Sequence, residues 1–438
     1  MTAVQAVDPC PTTAFALHDG VVHAESVPLP AIAAAVGTPA YVYSAAALRR
    51  AARAFRDGLA PVGRKRLAFA VKANPNLAVL TLLAGEGYGA DIVSGGELAQ
   101  ALAAGMPARD VIFSGVGKAR RELAAALDAG IGQFNLELEE EGHVLAAMAA
   151  ARGLRAPAVL RVNPDVAAGT HAKISTGQRQ NKFGVAIADA ADIYARLARC
   201  DGLDLRGIAI HIGSQLSDLA PLEAAYRRVG ALVADLRAAG HAITHVDLGG
   251  GLGLAYRPGD VVPTPAAYGA MVARVTRDWD VTLLFEPGRY LAGEAGVLLT
   301  EVLWVKPGAI APYVIVDAAM NDLARPALYD AYHAFEAVVP SGARMTANLA
   351  GPVCESSDTF AIGRDIDRVV AGDLALFRTA GAYGATMAST YNCRALVPEV
   401  LVDGDRFAIV ADRIPPEARL ATQHLPPWMG QSDAKQAA

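Results

Sequence analysis

Four places in this chain carry reactive residue types, each where an apolar run ends. Lys72, in Ala70-Val71-Lys72-Ala73-Asn74, closes an apolar stretch. An ammonium there loses hydration and has its pKa pushed down, which suits a lysine that bonds covalently to a carbonyl group. Its plainer reading is a lysine that snorkels to water. Gly249-Gly250-Gly251 and Gly253 leave backbone amides uncovered, a geometry that cradles phosphate; a tight turn before a helix is the alternative. The spacing does not match a dinucleotide fingerprint. Glu286-Pro287-Gly288-Arg289 sets an acid three residues from a guanidinium, with proline stiffening the turn. That carboxylate could hold a proton on a ring nitrogen and the arginine an anion, or the two could form a local salt bridge. His211-Ile212-Gly213-Ser214 brings an imidazole and a hydroxyl into a glycine turn.

These residues need a scaffold that brings distant segments to one mouth. From Arg66 onward, short β-branched runs alternate with Ala/Leu/Glu/Arg segments, the pattern of repeated βα units. Eight strands are expected, at 67–71, 90–94, 111–114, 133–135, 158–162, 208–212, 245–248 and 282–285. They predict an α/β fold, a closed (β/α)8 TIM barrel whose active site lies at the C-terminal strand ends. Lys72, Asp91, Ser114, Asn163, His211, the glycine run, Glu286 and Arg289 all follow or border such ends. A lysine, a phosphate cradle, a ring-stacking histidine and an acid for a ring nitrogen together meet the requirements of pyridoxal 5'-phosphate. The connection from Asn163 to Gly184, with His171, Ser175 and Lys182, is polar and too long for an ordinary loop. It is the candidate lid. Beyond Glu294, closely spaced strand-like runs predict a second, β-rich domain of Greek-key or β-sandwich type, joined by the N-terminal Thr12 to Ala34 segment. The expected division is 1–35, 36–294 for the barrel and 295–438.

Composition narrows the function classes. Of 438 residues 53% are hydrophobic and mean hydropathy is +0.28, which raises a membrane reading. The longest window free of Asp, Glu, Lys and Arg, Val27 to Leu48, is broken by Pro28, Pro30, Gly37 and Pro39. No membrane association is expected. Lys plus Arg total 39 against 44 acids, with no basic block, which disfavours nucleic acid. The first Lys or Arg is Arg49, so no signal or transit peptide is expected and the cytoplasm is the predicted location. Cys10, Cys200, Cys354 and Cys393 are far apart and predicted to be free thiols. No His-x-His or His-Glu-x-x-His occurs, so no metal is expected.

Over nearly the whole chain the motifs resemble the barrel-type pyridoxal-phosphate decarboxylases (fold type III), and within them the diaminopimelate decarboxylase family. Besides the segments above, the likeness rests on Thr38-Pro39-Ala40-Tyr41-Val42-Tyr43, Asp247-Leu248-Gly249 and Gly381-Ala382-Tyr383-Gly384. Ile174 to Gly177, Asn181 to Gly184, Met320 to Leu323, Arg325 to Tyr329 and Cys354 to Asp358 narrow it further. The resemblance implies decarboxylation of meso-2,6-diaminopimelate to L-lysine, the last step of bacterial lysine synthesis. It implies Lys72 as the cofactor-linking lysine, His211 stacked on the ring, and Glu286 on its nitrogen. Asp91, Ser214, Gly250, Gly251, Gly288, Arg289 and Tyr383 would complete the cofactor site. Arg289, Arg325, Tyr329, Glu355 and Tyr383 would bind substrate, the arginines taking a carboxylate and Glu355 an ammonium. Cys354 becomes the proton donor. It and Glu355 reach the other subunit's site in this family, which implies a homodimer with shared sites.

Two positions depart from the family pattern: Ser357 where glycine is usual, and Ala395 where proline follows Arg394. A serine is tolerated at 357 if φ there is negative. Paralogues acting on another amino acid, such as ornithine, arginine or a carrier-bound amino acid, are disfavoured by the Arg325 and Glu355 pair. A racemase on the same barrel is disfavoured by Glu286, since that chemistry favours Arg at the ring nitrogen. A catalytically silent homologue would be expected to lack Lys72 or Cys354, and both are present.

Overall fold

A computed structural model describes residues 14–167 and 181–429. Eight parallel strands close into a barrel: β1 (Lys65–Ala70), β2 (Gly89–Ile92), β3 (Val111–Phe113), β4 (Gln133–Leu136), β5 (Ala156–Asn163), β6 (Leu203–Ala209), β7 (His245–Asp247) and β8 (Thr282–Phe285). The ring is completed where β8 pairs with β1 and β4 with β5. All eight expected strands are present, with ends shifted by a few residues. Lys72 lies just past β1, in the 3-10 turn Val71–Ala73.

The intervening helices start where side chains can satisfy free backbone donors. Ser44 Oγ accepts from Ala47 N–H at 3.0 Å, Asn76 Oδ1 from Ala78 N–H at 3.0 Å, and Ser94 Oγ from Glu97 N–H at 3.2 Å. Each such cap is worth about 1 kcal/mol. The helix expected near Gly96 to Gly105 spans Gly95–Ala103 and stops before Gly105, whose φ is +82°. The main hydrophobic core runs continuously through the barrel and the second domain. A separate three-residue cluster, Ala68, Ile112 and Leu284, comes from β1, β3 and β8. The high hydropathy of the chain is spent on these layers, and among the described residues no helix is long and apolar enough to cross a membrane.

The second domain is a mixed nine-stranded sheet whose longest strand is Gly296–Lys306. Antiparallel pairs dominate, but Tyr313–Val316 runs parallel to Arg344–Ala350, and Ala40–Ser44 parallel to Glu399–Asp403. Ala40–Ser44 was expected inside the 36–294 barrel segment; it is instead a central strand of this sheet, paired also with Gly296–Lys306. Its five residues are all buried, so it needs cover on both faces and a partner on each edge. Phe15–His18, Val21–Ala24 and Val27–Pro28 form a small separate sheet tied to the same domain. Val22 N–H donates to Val338 O at 2.8 Å, and Gly404 N–H to Glu25 Oε2 at 2.6 Å. Cys200, Cys354 and Cys393 are free; Cys10 lies outside the described residues.

Candidate active site

Strand register brings Lys72 to its partner. Ala70 on β1 sits beside Asp91 on β2, and two residues further on Lys72 Nζ donates to Asp91 Oδ2 at 2.8 Å. Asp91 is fully buried, and its Oδ1 has no hydrogen-bond partner. Sequence reasoning expected burial to lower the lysine pKa. Burial does act that way, but Asp91, Tyr383 and Glu286 more than offset it, and the net shift is upward. The negative charges around the lysine outweigh its lost hydration.

Across the barrel mouth, β7 and β8 deliver two acids together. Asp247 on β7 pairs in register with Leu284 on β8, and Glu286 N–H donates to Gly249 O at 2.8 Å. Both carboxyls are buried, and their pKa values are raised, first by burial; for Glu286 the neighbouring Asp247 adds to it. The two acids therefore resist being ionised together. Asn135 Nδ2 holds them in place, 3.1 Å from Asp247 Oδ2 and 3.4 Å from Glu286 Oε1. Gln133 Nε2 donates to the same Asp247 oxygen at 3.1 Å. The sequence reading did not single out Asp247, Gln133 and Asn135 as site residues. A usable signal was present: two amides two residues apart on a strand face the same side.

The glycine run makes the cradle. Gly249 and Gly251 have φ of +67° and +117°. A Cβ on Gly250 would collide with the Glu286 carbonyl, and one on Gly251 would lie 2.7 Å from Gly213 O. Gly250 N–H donates to His211 Nδ1 at 3.2 Å, so the ring proton sits on Nε2. Burial, then Arg161 and Lys72, push the imidazole well below its ordinary pKa, which keeps it neutral. Ser214 Oγ accepts from Arg289 Nε at 3.3 Å and Nη2 at 3.1 Å. Lys72, His211, Ser214, Gly249 to Gly251, Glu286, Gly288, Arg289 and Tyr383 line one cleft. A neighbouring cleft, lined by Ser114, Asn135, Arg161 and Phe183, shares Lys72, His211 and Glu286 with it.

Arg289 does not bond to Glu286, as the local salt-bridge reading would have it. Its Nη1 donates to Tyr256 Oη at 2.8 Å, and its Cζ lies 4.8 Å from the Tyr383 ring centroid. Arg325 Cζ stands 4.8 Å from the same Tyr256 ring, and its Nη1 donates to His333 Nε2 at 2.9 Å. His333 Nδ1–H in turn donates to Arg378 O at 2.8 Å, which fixes that tautomer. Both guanidiniums are buried, at 6% exposure, and neither has an ion-pair partner among the described residues. Burial and the nearby Arg289 charge lower the Arg325 pKa. Arg325 Nε also lacks a hydrogen-bond partner. Tyr329 ends the short helix Arg325–Tyr329 and acts electrostatically on Arg289. Tyr256 and His333, which organise this corner, carry no motif that sequence reasoning could use.

Cys354 and Glu355 lie elsewhere. Both are exposed and line neither cleft. Glu355 accepts from Ser357 Oγ and from Tyr391 Oη at 2.8 Å, which holds its carboxyl below the ordinary range. Ser357 has no positive φ, so the serine at this position is unstrained. Of the expected lid, 168–180 lie outside the described residues, His171 and Ser175 among them; Lys182 Nζ stands 5.3 Å from the Phe183 ring.

The fold and this mouth define a pyridoxal-dependent decarboxylase: residues 45–293, more than half the chain, match the pyridoxal binding domain of that family. Within it the chain belongs to the diaminopimelate decarboxylase family. It is 49% identical to the diaminopimelate decarboxylase of Zymomonas mobilis, over 95% of this chain and 99% of that protein. The solved structure of diaminopimelate decarboxylase from M. jannaschii superposes with a TM-score of 0.90 at 33% identity, covering 96% of this chain and 99% of that one. The Helicobacter pylori enzyme complexed with L-lysine gives 0.86 at 35%, covering 90% and 99%. The residues present fit pyridoxal phosphate. The glycine cradle leaves room only where no Cβ stands, Asp91 has an unused buried oxygen, and lysine, imidazole and acid surround one cleft.

Proposed function

We propose that this protein decarboxylates meso-2,6-diaminopimelate to L-lysine and CO2 in the cytoplasm, as a homodimer whose subunits share sites. The observation that carries this reading is the pair of buried arginines, Arg289 and Arg325, without a carboxylate partner among the described residues. Buried guanidiniums are costly unless an anion meets them, and their planar forks match a carboxylate. A simple diamine precursor has no distal carboxylate to offer. Diaminopimelate does.

When bound, pyridoxal phosphate supplies the electron sink for the bond that releases CO2. The protein's part is positioning and proton management. Ser214 and the Gly251 amide would hold the phosphate beside Gly250, whose own N–H is on His211, and the neutral His211 ring would stack on the cofactor ring. Glu286 would keep a proton on the ring nitrogen, with Asp247 and Asn135 fixing its carboxyl. Arg289, Arg325, Tyr329 and Tyr383 orient the distal carboxylate. Glu355 of the second subunit takes the distal ammonium, and Cys354 of that subunit delivers a proton to Cα.

Purified enzyme loaded with cofactor is expected to release CO2 from meso-diaminopimelate with one lysine formed per turnover. A panel with ornithine, arginine and the other diaminopimelate stereoisomers tests this; release from ornithine and none from diaminopimelate rejects the assignment. Cys354→Ala is expected to keep the lysine-linked cofactor band and slow turnover about 10²-fold or more. Mixing it with Lys72→Ala subunits is expected to restore about a quarter of parental activity, since half the dimers then hold one intact site. No restoration after subunit exchange rejects the shared site.

A further inference from the structure

Outside the cleft, a second place gathers guanidinium groups that make no ion pair among the described residues. Arg257 Cζ lies 5.0 Å and Arg364 Cζ 4.2 Å from the centroid of the Tyr332 ring. Neither side chain has an ion-pair partner among the described residues. The nearest acids in sequence are already engaged. Asp260 Oδ2 accepts from the backbone N–H of Tyr256 at 3.0 Å and of Arg257 at 2.9 Å, and Asp365 pairs with Arg344 at 2.8 Å. Arg257 is exposed and Arg364 half-buried; burial and the Arg257 charge both lower the Arg364 pKa.

This cluster is one residue outward from the buried arginines along two segments. Arg257 follows Tyr256, which touches both Arg289 and Arg325. Tyr332 precedes His333, whose ring stands edge-on to Tyr256 at 5.5 Å and accepts from Arg325. Arg364 Nη1 donates to the His333 carbonyl at 2.6 Å. The four arginines thus run from exposed Arg257 through half-buried Arg364 to buried Arg325 and Arg289, the last of which lines the cleft, with Tyr332, His333 and Tyr256 between them.

We propose that Arg257 and Arg364, spaced by Tyr332, form an outer subsite where the substrate's distal carboxylate docks before it passes to Arg325 and Arg289. The inference rests on the reading of the inner arginines as a carboxylate site. Like charges brought together without an ion-pair partner attract an anion at long range and speed its capture, an effect that salt screens.

The test compares the cofactor-loaded parent with R257Q/R364Q and the charge-preserving R257K/R364K. For meso-diaminopimelate at low salt, R257Q/R364Q is expected to lose about tenfold in kcat/KM, with the effect on KM and not on kcat, and to show a flatter salt dependence. Lysines should restore most of it, which a purely structural role would not allow. Calorimetric titration with pimelate, a dicarboxylate of the same chain length without amines, should show weaker binding to R257Q/R364Q, and inorganic phosphate a smaller difference. Equal pimelate affinity and equal salt slopes in parent and R257Q/R364Q overturn the proposal. Because pimelate binding needs no turnover, it reports on the subsite even if the CO2 assay rejects diaminopimelate as substrate. Phosphate binding reduced as much as pimelate overturns the carboxylate assignment.

Discussion

Lys72→Ala is expected to abolish the visible absorbance of lysine-linked cofactor and to lower turnover by at least about 10³-fold. A positioned proton-transfer group alone is worth about 10²–10⁴, and covalent attachment is lost with it. The structure says why no neighbour can substitute. Lys72 Nζ is the amine at the meeting point of the two clefts, within 2.8 Å of Asp91, and among the described residues no second lysine lines either cleft. Asp91 would be left with both oxygens unmatched in a fully buried site, so some loss of stability is expected as well. Lys72→Arg separates the two effects. It keeps a cation near Asp91 yet has no nucleophilic amine, so it should melt closer to the parent while remaining inactive. Retention of the lysine-linked band in Lys72→Ala rejects the assignment.

Glu286→Gln is expected to reduce kcat by about 10²–10³-fold, the range found when one electrostatic partner of a developing charge is removed. The amide keeps the shape of the carboxyl, and Asn135 can still donate to its oxygen, so the loss is electrostatic. Stability should move the other way. The folded-state pKa of Glu286 lies well above its ordinary value, so the folded protein disfavours the ionised form. The resulting destabilisation grows as pH rises above the unfolded carboxyl pKa towards the raised folded one. Glutamine removes that burden, and Asp247 loses a like charge. At neutral pH the variant is expected to melt at or above the parental temperature while turning over far more slowly. A lower melting temperature together with near-parental kcat overturns the role given to Glu286.

Much of this site was legible in the sequence because strand ends and chemistry coincide. Each of the eight apolar runs became a barrel strand, and Lys72, Asp91, His211, Gly250, Glu286 and Arg289 lie at one mouth because closed parallel barrels point all such ends the same way. The motifs of Arg325 and Tyr329 also marked their place. What stayed hidden has a common character. Asp247, Gln133 and Asn135 act through contacts across the barrel, over separations of 112 to 151 residues. Ala40–Ser44 reads locally as a strand, and only its partners reveal the sheet to which it belongs.

The sequence by itself determined the barrel, the cofactor class and the family, since those follow from local apolar periodicity and short motifs. The upward shift at Lys72 was decided by tertiary structure: local burial argued for a lower pKa, and Asp91, 19 residues away, reversed the sign. The same holds for the paired acids and for the arginine track. Charge in a protein interior is governed by what stands within a few ångströms, and the chain brings those neighbours together only on folding.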